Sequence, residues 1–136
     1  MKYFLDTNIC IYILNQRPVE LLSKIQQVFP AEIGISTIVL SELHYGIAKS
    51  NRIEPNLRKL EAFLSGFQLV QYDRQAAVAY GKIRAELEKK GELIGREDML
   101  IAAHAVAQDA TLVTNNEREF LRVPNLKVEN WVQKAS

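Results

Sequence analysis

Apolar positions along this chain alternate between short continuous blocks and longer stretches in which they recur at helical spacing. The block Tyr3–Leu5 ends at Asp6-Thr7-Asn8, residues that favour turns and helix caps, after which apolar residues resume over 9–14. This predicts a buried strand running into a helix. Pro18 suits the first turn of a second helix, where its missing N–H costs nothing, and Val19, Leu22, Ile25 and Phe29 recur at helical spacing up to Pro30. Ile33-Gly34-Ile35 reads as a strand. Ser36 or Thr37 can cap the helix that follows, with Val39, Leu43 and Ile47 as its buried stripe.

A further helix is expected over 55–64 from the spacing of Leu57, Leu60, Phe63 and Leu64, then a strand over 67–70. Asp73 has the character of an N-cap. The helix after it carries Ala76, Tyr80, Ile83 and Leu87 on one side and stops at Lys90-Gly91, a basic last turn followed by a glycine. An almost continuously apolar helix over 97–107, a strand Thr111–Val113, a short helix over 116–121 and a strand over 126–128 complete the chain. Strands alternating with helices predict an α/β fold with a mostly parallel central sheet flanked by helices. No repeat divides it, so 1–136 is read as a single domain, the size expected of one core. In such sheets ligands bind beyond the carboxyl ends of the strands, where strand-to-helix loops emerge.

Composition narrows the class. With 48% hydrophobic and 24% charged residues the chain is that of a globular protein. A net charge of +1 means that a nucleic-acid partner must be held by local Lys and Arg clusters. The single cysteine, Cys10, lies between Ile9 and Ile11 and reads as a small buried residue. No signal-peptide core precedes Asp6 and no apolar run reaches the roughly 18 residues of a membrane span, so a cytoplasmic location is expected.

The chemistry lies in the acids. Asp6 follows the first strand directly, and Thr114, Asn115 and Asn116 follow the strand Thr111–Val113. Glu42 borders the buried stripe of its helix, where carboxylates are rarely found without a partner. Asp98 opens the most apolar helix, and Glu119 comes one turn after the Thr114-Asn115-Asn116 loop. Singly, Asp6 is explained as a turn residue, Asp98 as a helix N-terminal charge and Glu119 as a solvated side chain. Gathered at one sheet edge they would repel each other without a counter-cation. An all-oxygen donor set lacking Cys and His suits Mg²⁺ or Mn²⁺ rather than zinc. Such an ion suits phosphodiester hydrolysis, since it activates water and neutralises charge on phosphoryl oxygens. Asn8, Thr114, Asn115 and Asn116 can orient ligands, water or phosphate by hydrogen bonding, whereas Thr7 serves equally well as a cap alone.

Phe4-Leu5-Asp6-Thr7-Asn8, Ser41-Glu42-Leu43, Ile94-Gly95-Arg96-Glu97-Asp98, Ile101-Ala102-Ala103-His104-Ala105 and Leu112-Val113-Thr114-Asn115-Asn116 resemble the successive motifs of VapC toxins, and the likeness continues through Glu119-Phe120 to Val128-Glu129-Asn130-Trp131. The resemblance implies a PIN-like fold and Mg²⁺ held by Asp6 and Asp98, with Glu42 and a fourth acidic position completing the pocket. Many family members carry Asp where this chain has Asn116, and Glu119 is the nearest substitute. Arg96 stands where similar sequences often have proline, and it reads as a solvated residue or a phosphate contact. The resemblance further implies a type II toxin–antitoxin ribonuclease that cleaves RNA, commonly tRNA, leaving a 5′-phosphate and a 3′-hydroxyl and inhibiting translation. A homodimer and a cognate VapB antitoxin, whose C-terminal segment occupies the active-site groove, are implied with it.

Arg52, Arg58, Lys59, Lys82 and Arg84 are candidates for RNA contact, although a charged helix face explains most of them equally well. His104, inside an apolar helix, reads as a packed or dimer-facing side chain rather than a base, and His44 is given no chemistry. Two rival readings differ in class. A phosphoaspartate phosphatase needs a second acid two residues after the first, where this chain has Asn8. A catalytically degenerate PIN domain that only binds RNA or protein is the alternative that Asn116 keeps open.

Overall fold

A computed structural model describes residues 2–28 and 30–132. Five parallel strands form one sheet in the order β3-β2-β1-β4-β5: β1 (Tyr3–Leu5), β2 (Ile33–Ser36), β3 (Gln68–Val70), β4 (Thr111–Val113) and β5 (Lys127–Glu129). Between them run helices α1 (Thr7–Leu14), α2 (Val19–Gln26), α3 (Thr37–Ala48), α4 (Ile53–Leu64), α5 (Arg74–Lys90), α6 (Arg96–Ala107) and α7 (Glu117–Phe120). Phe4 and Leu5 of β1, Ile33 and Ile35 of β2, and Leu112 and Val113 of β4 are buried, as expected of central parallel strands covered on both faces.

The chain builds outward from β1 to β2 and β3 on one side, then crosses back to β4 and β5 on the other. The reversal between β1 and β4 is the point where an open α/β sheet leaves a crevice at its carboxyl edge. Leu5 pairs with Val113 across that junction, so Asp6 and Thr114 emerge side by side. The Asp6 N–H donates to the Val113 carbonyl at 3.1 Å and extends the ladder to the start of α1.

Local signals fix several boundaries. Asp6 caps α1 by accepting from the Ile9 N–H at 2.8 Å, and Asp73 caps α5 by accepting from Ala76 at 3.0 Å. Ser36, rather than Thr37, caps α3 by accepting from Ile38, which leaves the Thr37 hydroxyl to accept from the Tyr72 N–H. Gly91 ends α5 at φ +67°, a left-handed conformation for which glycine carries no Cβ penalty.

The second helix departs from its sequence pattern. Pro18 is its cap, not part of its first turn, and Val19 is 74% exposed while Leu21 is fully buried. With the helix starting at Val19, that side chain leaves the open first turn toward solvent and Leu21 takes the inward face. Phe29, placed on the same stripe by its spacing, lies outside the described residues. The fourth helix begins two residues early, at Ile53, which puts Pro55 within its first turn, where a missing N–H breaks no bond. Cys10 is fully buried, and no helix among the described residues is long and apolar enough to cross a membrane.

Candidate active site

Asp6 is 5% exposed, at the carboxyl end of the central strand. Burial raises its pKa, opposed by hydrogen bonds from the Thr114 hydroxyl and the Ile9 and Asn8 backbone N–H groups, while the charge of Glu42 raises it further. Glu42 comes from α3, and the Thr7 hydroxyl donates to its Oε1 at 2.8 Å. One strand end and the first turn of α1 therefore deliver one carboxylate and hold a second.

Asp98 is the third residue of α6, and its Oδ2 turns back over the helix start, where a Cβ on Gly95 would stand 3.5 Å away. A helix N-terminus favours the ionised carboxylate. Even so, the Asp98 carboxyl is pushed up to about 6, first by burial and then by the charges of Glu119, Asp6, Glu42 and Glu97. Carboxylates from the end of β1, α3, α6 and α7 therefore share one electrostatic neighbourhood, and burial together with repulsion exceeds what the helix terminus offsets. As they lie, no three acidic, His or Cys side chains among the described residues are gathered closely enough to ligate one ion. The donor chemistry still fits a hard divalent cation, which takes one or two carboxylates and completes its shell with water or phosphate. A cation would also relieve the repulsion that raises Asp98.

The supporting residues divide. Thr114 is buried against Asp6 and its Oγ1 accepts from the Asn116 N–H at 2.9 Å. Asn116 Nδ2 donates to Glu119 Oε2 at 3.2 Å, so the residue without a charge aims the nearest residue that has one. Asn8 is exposed and reaches Asp6 through its backbone. Asn115 turns away from the carboxylates: its Oδ1 accepts from Asn130 Nδ2 at 3.1 Å. Thr7, which serves equally as a cap on sequence grounds, is the anchor of Glu42. Neither it nor Asn130 shows a local signal, because their partners lie 35 and 15 residues away.

His104 stands apart from this chemistry. It is fully buried, its Nδ1 is 2.8 Å from Ser36 Oγ, and its ring meets Phe4 and Tyr72 edge-on at centroid distances of 4.9 and 5.4 Å. Burial lowers its pKa, partly offset by the Asp73 charge and the Gln71 backbone. It is a packed histidine, as expected. Among the candidate RNA contacts, Lys59 lines a cavity of about 260 Å³ that Glu42 borders and that Ile11, Leu14, Leu43 and Ile47 wall. Arg84 is engaged on α5, where its Nη1 donates to the Tyr80 hydroxyl at 2.9 Å.

Known proteins resemble this chain over almost its whole length. Ribonuclease VapC2 of Rickettsia felis is 49% identical over 137 residues, covering 96% of this chain and 98% of that protein. The tRNA(fMet)-specific endonuclease VapC of Salmonella typhimurium is 41% identical over 131 residues, covering 96% and 98%. The fold matches a chain in the crystal structure of VapBC2 from Rickettsia felis bound to a promoter DNA fragment, with TM-score 0.91 and 47% identity over 96% of this chain and 99% of that one. DNA-bound VapBC from Salmonella typhimurium gives 0.92 and 41%, covering 96% and 98%. The PIN domain model matches residues 3–126, and with relatives this similar the chain belongs to the PIN domain family, among its VapC ribonucleases.

Proposed function

We propose that this chain is the toxin of a type II toxin–antitoxin pair, an endoribonuclease that uses Mg²⁺, with Mn²⁺ as the substitute, to cleave tRNA and so stop translation. Asp6 and Asp98 hold the ion, with Glu42 and Glu119 completing the acidic set. The observation that carries this reading is the Asp98 carboxyl, held near 6 by burial and by Glu119, Asp6 and Glu42 at the sheet's switch point. When bound, the cation supplies activation of water and neutralisation of charge on the phosphoryl oxygens.

The chain's own residues prepare that site. Thr7 fixes one oxygen of Glu42, Thr114 and the first turn of α1 orient Asp6, and Asn116 restrains Glu119. Asp98 retains a proton at a higher pH than an ordinary aspartate, and it would have to be ionised to hold a cation. Tight burial of Asp6 excludes water from one side, so substrate phosphate approaches from the open carboxyl edge.

The partner follows from the relatives, whose solved structures are VapBC complexes. A VapB-type antitoxin neutralises the chain by laying a C-terminal segment along the groove walled by Ile11, Leu14, Leu43 and Ile47, beside Glu42. A homodimer belongs to the same reading, supported by exposed Val78 at a surface groove shared with Ala79, Ile83 and Val106. We assign its action to the cytoplasm, where tRNA is found.

The test is cleavage of total RNA by purified protein, together with sequencing of 5′ ends after brief expression in cells. Cleavage in Mg²⁺ and none in excess EDTA is expected, with the new ends in tRNA. Full activity in EDTA would remove the metal from the mechanism. RNA binding without cleavage would leave the degenerate domain as the reading.

A further inference from the structure

Glu119 belongs to α7, a four-residue helix. So short a helix does not hold its own conformation, because nucleation alone outweighs the few bonds it forms. Its cap residue, Asn116, makes no side-chain capping bond, and its Nδ2 donates to Glu119 instead. Phe120, buried to 1% exposure, fixes the far end. What holds the near end comes from outside the helix. Asn130, just past β5, donates from Nδ2 to Asn115 Oδ1 at 3.1 Å and to Glu117 Oε1 at 2.9 Å, and its Oδ1 accepts from the Val132 N–H at 2.9 Å.

The chemistry of the partners fixes this orientation. A backbone N–H only donates and a carboxylate only accepts, so the Asn130 amide fits one way round. Both polar atoms of that side chain are in use. The bridged residues, Asn115 and Glu117, flank Asn116 and bracket the path from Thr114, which touches Asp6, to Glu119, which faces Asp98. β4 and β5 are already paired at Val113 and Glu129, and the Thr114 N–H donates to the Glu129 carbonyl at 3.0 Å. Asn130 therefore carries the sheet register one step further, into the loop that bears the acidic edge.

We infer that Asn130 is a positioning residue of the active site, a clamp between the last strand and the loop after β4 that holds Thr114, Asn116 and Glu119 in place to receive a divalent cation. The inference rests on the reading of the acidic edge as a cation site. Asn130 bonds to none of the four carboxylates at that edge, and it acts through the side chains of Asn115 and Glu117 on the segment 114–117.

Mn²⁺ binding to the full chain, followed by electron paramagnetic resonance of the free ion, tests this without reference to activity. Asn130→Ala should weaken Mn²⁺ binding about tenfold or more, the usual cost of losing a partner behind a ligand set, while the fold still melts cooperatively. Asn130→Asp keeps the shape and the acceptor for Val132 but loses both donors and faces Glu117 with a like charge, so it should bind as weakly as Asn130→Ala or worse. Recovery of binding in Asn130→Asp would make the residue a structural filler and overturn the inference. Asn115→Ala, which removes one branch of the clamp, should fall between wild type and Asn130→Ala, and it decides the matter if Asn130→Ala melts without cooperativity. Asp98→Asn is the reference. If it loses Mn²⁺ and the clamp variants bind as wild type does, the clamp has no part in the site. If Asp98→Asn itself binds Mn²⁺ normally, the acidic edge is no cation site and the inference falls with it.

Discussion

The Thr7 hydroxyl donates to Glu42 Oε1 at 2.8 Å, tying the first turn of α1 to a carboxylate 35 residues later on α3. Thr7→Val keeps the β-branched shape and removes the donor. It should lower cleavage and Mg²⁺ affinity about tenfold, by releasing Glu42 from its rotamer. The cost in stability should be near 1 kcal/mol, the net worth of one partly buried bond. Thr7→Ser keeps the hydroxyl and should stay close to wild type in both assays. Equal cleavage rates for Thr7→Val and wild type would mean that Glu42 needs no such restraint.

The metal-free protein should respond to pH through groups of opposite sign, the raised Asp98 and Asp6 carboxyls against the lowered His104 ring. Asp98 is raised from its ordinary 3.8 to about 6, so the stability it contributes is complete below its ordinary value and is lost as the pH rises through about 6. His104 is lowered from 6.5, so its contribution is present above that value and is lost as the pH falls through its folded one. Melting in chelator from about pH 4 to 8 should therefore show Asp98→Asn gaining most over wild type at the alkaline end, where repulsion is fully developed. Asp98→Asn should also abolish cleavage, and Mg²⁺ should raise the melting temperature of wild type while scarcely moving the variant. A variant markedly less stable than wild type in chelator would make Asp98 a structural cap.

His104→Ala should cost ~3 kcal/mol, since it empties a packed site between Phe4 and Tyr72 and removes one of the two partners of the Ser36 hydroxyl, leaving only the Ile38 N–H. Urea melts measure that loss. Its folded fraction should cleave at the wild-type rate, because among the described residues the ring meets Ser36, Phe4 and Tyr72 and none of the four carboxylates. A variant that folds fully but does not cleave would give His104 a part in the chemistry.

What the sequence made legible was whatever is encoded locally. The Asp73 cap and the Gly91 stop of α5 depend on residues one turn apart, and both stand where the pattern put them. The acidic edge was legible because parallel α/β topology brings strand ends together whatever the side chains between them. Val19 failed because helical spacing is blind to which residue opens the first turn, and Leu21, two residues on and on the opposite side of the helix, took the inward place. Thr7 and Asn130 gave no sign of their roles, since each bond depends on which elements the sheet sets side by side. The use of Asn116 to aim Glu119 is a short-range contact, yet it depends on the turn made by residues 114–117.

On the proposed assignment Glu119 supplies the charge of the fourth position and Asn116 aims it, and variants separate the two. Glu119 is the largest charge contribution to the raised Asp98 carboxyl. Two carboxylates about 4 Å apart at an effective dielectric near 20 repel by roughly 4 kcal/mol, so removing one changes both the cation's attraction and its neighbour's proton affinity. Glu119→Gln preserves shape and the bond to Asn116 through its amide oxygen but removes the charge, so it should weaken Mg²⁺ binding and bring the Asp98 titration down toward its ordinary value in chelator. Asn116→Ala leaves the charge and loosens only its aim, so Mg²⁺ binding should fall less and the Asp98 titration should scarcely move. Carboxyl-carbon NMR follows the titration, and calorimetry the binding. An unchanged Mg²⁺ isotherm for Glu119→Gln beside a large loss for Asn116→Ala would reverse the assignment, giving the fourth position to the asparagine amide and leaving Glu119 as its surface neighbour.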